Sequence, residues 1–131
     1  MKSLRTAICL CLCAPQVSAQ MSASEFEAYV TGRTLYYYNG TNMPYGAEIY
    51  LPNRRVRWSF LDGECKDGYW YEEGAQICFV YEDRVDPQCW SFEQGPGGLT
   101  ASFENDPAGT ALYEAADDGV ELLCQGPKVG V

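Results

Sequence analysis

The cysteines are the most reactive side chains in this chain of 131 residues, and their spacing limits what they can do. Cys9, Cys11 and Cys13 lie near the N-terminus; Cys65, Cys78, Cys89 and Cys124 follow, with 12, 10 and 34 residues between them. A zinc site of four thiolates wants ligands paired two to four residues apart, and these four are not. In an oxidising compartment they make two disulfides instead. There is no histidine. That removes Ser-His-Asp and Cys-His nucleophiles, imidazole general bases and His-ligated metals. Neither G-x-S-x-G nor S-x-x-K occurs, so no serine is placed as a nucleophile. The sequence assigns no catalytic residue, no metal ligand and no cofactor, and a non-enzyme is expected.

Three other groups could bind something. Trp58, Trp70, Trp90 and ten tyrosines are many for so short a chain. Rings exposed at Tyr36, Tyr38 and Trp70 could stack on sugar faces or line a ligand cavity. The plainer account is that they fill a core and cover sheet faces, since alternation forces at least one ring of Tyr36-Tyr37-Tyr38 outward. Arg55 and Arg57 share the face opposite Val56 and Trp58 and could hold a carboxylate or phosphate. More plainly, they pair with acids on neighbouring strands. The carboxylates cluster at Glu64 and Asp67, Glu72 and Glu73, Glu82, Asp83 and Asp86, and Asp117 and Asp118. A pair across a cleft could hydrolyse a glycoside. These fall in turns, however, where solvent keeps carboxyl pKa values ordinary, and no EF-hand spacing points to calcium.

The elements that must carry these residues begin after an export signal. Lys2 and Arg5 precede an eight-residue apolar run, Ala7–Ala14, too short for about 30 Å of hydrocarbon. Pro15 ends it, and Val17-Ser18-Ala19 supplies small residues for cleavage. A lipoprotein anchor fits worse, because Ile8, Leu10 and Leu12 precede the three cysteines where a small residue is needed. The reading is a signal peptide over 1–19 and a single domain over 20–131, periplasmic or secreted, with no membrane insertion after cleavage. Removing Lys2 and Arg5 leaves 7 basic against 18 acidic residues, so the formal charge falls from −9 to −11. Nucleic acid and anionic membranes would be repelled, while a basic envelope protein would be attracted. A monomer is expected.

Ser22–Gly32 reads as one short helix, with capping-box spacing at Ser22 and Glu25 and a left-handed C′ position at Gly32. Phe26, Tyr29 and Val30 form its apolar stripe. The rest alternates with period two: Thr34–Tyr38, Tyr45–Tyr50, Arg54–Phe60, Tyr69–Tyr71, Gln76–Tyr81, Gln88–Phe92, Leu99–Glu104, Thr110–Glu114 and a weaker Val120–Cys124. Turn signals such as Asn39-Gly40, Pro52-Asn53 and Asp62-Gly63 separate them. The fold class is mainly β: an antiparallel up-and-down meander forming a small barrel or two-layer sheet, with one N-terminal helix. A four-residue loop at Glu82–Val85 sets Cys78 directly opposite Cys89, on the face away from Phe79 and Trp90. Cys65 and Cys124 are left to pair with each other.

Gly68-Tyr69-Trp70, Cys78-Phe79-Val80-Tyr81 and Cys89-Trp90-Ser91-Phe92 make a pattern: G-x-W, C-F-x-Y, C-W-x-F. It resembles a meander in small exported bacterial proteins grouped as a domain of unknown function. That resemblance implies an exported β domain with a Cys78–Cys89 bridge and no established activity, so no catalytic residue carries over. The expected function is non-catalytic binding of a protein or ligand in the cell envelope. A saccharide or small apolar ligand on exposed aromatics or inside a barrel is one form of it. Lysozyme-inhibitor-like action on a basic enzyme is another.

Overall fold

The computed structural model describes residues 13–14, 19–106, 109, 111–116 and 122–125, so most of the expected signal segment lies outside the described residues. Helix α1 (Ala23–Val30) is followed by eight strands: β1 (Thr34–Tyr38), β2 (Pro44–Tyr50), β3 (Arg55–Ser59), β4 (Lys66–Glu73), β5 (Gln76–Tyr81), β6 (Gln88–Gly95), β7 (Gly98–Phe103) and β8 (Ala111–Glu114). Each strand pairs antiparallel with the next, and β8 returns to β1, closing a barrel. Closure consumes both sheet edges. The ninth strand expected over Val120–Cys124 therefore has nowhere to pair: Leu122, Leu123 and Cys124 are irregular, and residues 120 and 121 lie outside the described residues.

The helix forms where its caps allow it. The Ser22 hydroxyl accepts from the Glu25 amide, and the Glu25 carboxylate accepts from the Ser22 amide. Gly32 takes a φ of +82° just beyond the end, a conformation that favours glycine. Eight residues are too few to hold a helix in water, so docking must stabilise it. Phe26 and Val30 are both fully buried. The Phe26 ring lies 4.4 Å from Phe92, 5.2 Å from Trp70 and 5.7 Å from Tyr50. The helix is thus a plug in one end of the barrel, here called the base.

Register decides what points inward. Tyr50 faces Val56 and Glu48 faces Trp58 across β2 and β3, while Glu48 also faces Leu35 of β1. Trp70 faces Phe79, Ile77 faces Trp90 and Phe92 faces Ala101 on the inner side of the later strands. Cys78 faces Cys89 on the outer side, their Cα atoms 4.0 Å apart, and the two are bonded. Glu73 faces Gln76, so the preceding hairpin turns at Gly74-Ala75. Cys65 and Cys124 are also bonded, tying the β3–β4 loop to the C-terminal segment, where the Gln125 amide donates to the Gly63 carbonyl at 2.8 Å. Two such bonds imply folding in an oxidising environment. Among the described residues no helix is long and apolar enough to cross a membrane.

Candidate functional site: the barrel lumen

At the end opposite the plug, the barrel opens into a cavity of about 100 Å³. Tyr37, Glu48, Trp58, Phe79, Tyr81 and Trp90 are among its walls, and Tyr45, Phe60, Lys66 and Asp83 stand nearer the mouth. Two glycines make room for the rings. A Cβ on Gly46 would overlap the Trp58 ring and the Ser59 carbonyl; one on Gly68 would collide with the Val80 carbonyl and crowd the Tyr81 ring. With hydrogen at both positions, Trp58 and Tyr81 lie against the wall on either side of Glu48. Tyr45, Trp58 and Phe60 then form an aromatic rim, with centroids 5.4–6.0 Å apart.

Glu48 is the unusual residue. It is 1 % exposed in a largely apolar cavity. Its Oε1 accepts from the Tyr81 hydroxyl at 3.0 Å, and its Oε2 is buried with no partner among the described residues. Beside it, the hydroxyls of Tyr37 and Tyr50 bond to each other at 2.9 Å. Loss of water pushes the Glu48 carboxyl well above its ordinary range, and the Tyr81 hydrogen bond pulls only partly the other way. Burial raises the phenols of Tyr37, Tyr50 and Tyr81 too, so they stay neutral hydroxyls. A buried carboxyl oxygen without a partner costs about 1–3 kcal/mol even when neutral, and more when ionised.

Of the aromatics noted in the sequence Trp58 and Trp90 line this cavity, but the candidate binding residues Tyr36, Tyr38, Arg55, Arg57 and Trp70 do not gather here. Trp70 is a correction: its ring points into the base, 3 % exposed, packed on Phe26 with the Arg54 guanidinium 4.5 Å from its centroid. It is held inward by register, because it faces Phe79. Tyr36 and Tyr38 instead line a second cavity, of about 290 Å³, with Leu61 and Ala115, and the Tyr38 ring sits 5.7 Å from Tyr113. Arg55 is exposed on the outer wall. Arg57 faces Asp67 across β3 and β4 and grips it through two nitrogens at 2.6 and 3.4 Å, holding that carboxyl below its usual value. The plainer account of that arginine is therefore the observed one. Glu72, Glu73, Glu82 and Asp83 are exposed around turns, as their sequence context implies.

Glu48 escaped the sequence reading because Ala47 and Ile49 suggest an inward face of the opposite parity. A two-residue turn at Pro52-Asn53 would set Glu48 opposite Arg57 and so outward; the observed loop is centred on Asn53, one residue longer, and sets Glu48 opposite Trp58, hence inward. No family model, characterised protein or solved structure matches this chain.

Proposed function

We propose that this protein is an exported, non-catalytic binding protein that holds a small amphipathic molecule in its barrel lumen. What supports this reading most is Glu48: a carboxyl group buried at the inner end of an aromatic cavity, with one oxygen unpartnered. An eight-stranded barrel of this kind is wide enough to be filled by side chains or to hold one small ligand. Here the base is filled by the plug, and the other end retains space behind an aromatic rim. The mature form begins near Gln20 after signal cleavage and works in the periplasm or outside the cell. Binding is preferred to turnover because the chain has no histidine and no serine nucleophile motif.

Trp58 and Trp90 both line the cavity, so their fluorescence reports occupancy directly. Titration of the oxidised mature protein with a panel of small amines, alcohols, lipids and cell-wall glycans should give saturable quenching or a spectral shift with at least one class. Substituting Trp58 by leucine should remove most of that signal. A flat response across the panel would overturn the lumen reading. A second reading, docking to a basic envelope protein, is favoured by the exposed apolar side chains Met43, Tyr45, Phe60 and Leu61 near the mouth of an acidic molecule. Such docking should weaken steeply between low and high salt, and salt-insensitive binding would argue against it.

A further inference from the structure

We infer that the ligand of this lumen is a compact organic ammonium ion, its nitrogen seated against Glu48 Oε2 and its carbon body among the surrounding rings. The inference rests on the lumen-binding reading above and specifies its chemistry. Glu48 Oε2 is an acceptor enclosed in protein, and its neighbours leave it unsatisfied: Tyr81 donates to the other oxygen, and Tyr37 and Tyr50 are engaged with each other. A group carrying both positive charge and N–H donors completes that shell most fully. The walls suit the same group, because the faces of Trp, Tyr and Phe rings attract cations. The chain already uses that attraction at the mouth, where the Lys66 ammonium sits 5.4 Å from the Phe60 ring centroid.

Charge is sorted along the cavity in the same sense. Lys66 and Asp83 form an ion pair at 2.5 Å and neutralise each other near the mouth. Arg84, exposed to solvent, also belongs to the lining and adds a positive charge at the mouth. Among the described lining residues Glu48 is the one carboxyl group further in. The molecule as a whole is acidic, which raises the local concentration of cations. Size sets the last limit. A cavity of about 100 Å³ takes an ammonium group and a few carbons, with anything longer lying along Tyr45 and Phe60.

Benzylamine, benzyl alcohol and acetophenone separate the possibilities, because they share a ring and differ in the group offered to Glu48. Calorimetry and tryptophan fluorescence on the oxidised mature protein at pH 8 should show benzylammonium binding at least about tenfold tighter than either neutral compound. Glu48→Gln should bring the amine within about twofold of the alcohol. Wild-type protein supplies a check that does not depend on the variant folding. As pH falls the amine should lose affinity with proton uptake by Glu48, whose carboxyl burial holds well above its ordinary range, while the alcohol changes little. The phenols of Tyr37, Tyr50 and Tyr81 stay neutral throughout, the other charged groups of the lining are Lys66, Asp83 and Arg84 at the mouth, and the amine remains protonated. Equal binding of alcohol or ketone and amine would overturn the ammonium assignment but leave lumen binding standing. Binding of glycans or lipids alone in the wider panel would do the same. Absence of binding by every compound would remove both.

Discussion

At the scale of single residues, the carboxyl of Glu48 is buried at a cost in stability. Its Oε2 is desolvated without a partner, so Glu48→Leu should raise unfolding free energy by about 1–3 kcal/mol in urea or guanidinium titrations. A loss of that size would mean the carboxyl is structurally satisfied. The pH dependence has a definite sign. The folded-state pKa of Glu48 lies well above its ordinary 4.5, so the native protein binds the extra proton between those two values. Its contribution is complete below pH 4.5 and disappears as pH rises through the folded pKa. Asp67 and Asp83 act oppositely: their carboxyls are held below 3.8 by Arg57 and Lys66, and their small contribution is lost as pH falls further. Stability should therefore decline from about pH 5 towards neutrality in wild type and stay flatter in Glu48→Gln, as thermal melts across that range would reveal. Gly46 is the other residue under tight constraint. Gly46→Ala should cost about 1–3 kcal/mol, because its methyl group competes with the Trp58 ring for the same space.

At the scale of elements, the plug helix does the most for its length. Phe26 touches rings from β2, β4, β5 and β6, so a single side chain ties four strands together. Phe26→Ala should destabilise by about 3–5 kcal/mol by denaturant melting, whereas Ser22→Ala, which removes only the cap, should cost about 1 kcal/mol. Near-equal effects would show that the helix contributes through its own caps rather than through docking. The β2–β3 turn is braced against the same helix. Asn53 and Arg54 both have left-handed backbones, with φ of +62° and +59°. Arg54 is held there by the Glu27 carboxylate at 3.1 and 3.3 Å, by the Trp70 ring, and by the Trp70 amide donating to its carbonyl. Together these contacts fix the turn that sets Glu48 opposite Trp58.

At the scale of the whole molecule, the two disulfides act over very different lengths of chain. Cys78–Cys89 spans 11 residues within one hairpin, and Cys65–Cys124 spans 59 and secures the segment beyond the last strand. By the loop-entropy argument, serine replacement should cost about 3 kcal/mol at the first and about 4 kcal/mol at the second. Differential scanning of the two double variants would show the order, and a reversed order would mean that hairpin geometry outweighs loop length. Closure into a barrel has a further consequence: the interior is a single space. A change at the plug can therefore be felt at the mouth, and Phe26→Ala should also weaken binding of any lumen ligand.

Much of this follows from local chemistry alone. Capping residues mark Ser22–Gly32 as a helix, period-two alternation and turn residues mark most of the strands, and hairpin register pairs Cys78 with Cys89, whereas Cys65–Cys124 follows only by elimination and is settled by the tertiary structure. The pattern joining Gly68 to Tyr81 and Cys78 to Cys89 is visible too, although its reason is tertiary: Gly68 faces Tyr81 and provides the space its ring occupies. Whether the sheet closes depends on the last strand meeting the first, a contact between residues some 75 positions apart that no local pattern encodes. The inside of the barrel depends on the same closure. A one-residue shift in pairing exchanges inner and outer faces, so Trp70 becomes core, Tyr36 and Tyr38 become outer wall, and Glu48 becomes the lining of the lumen.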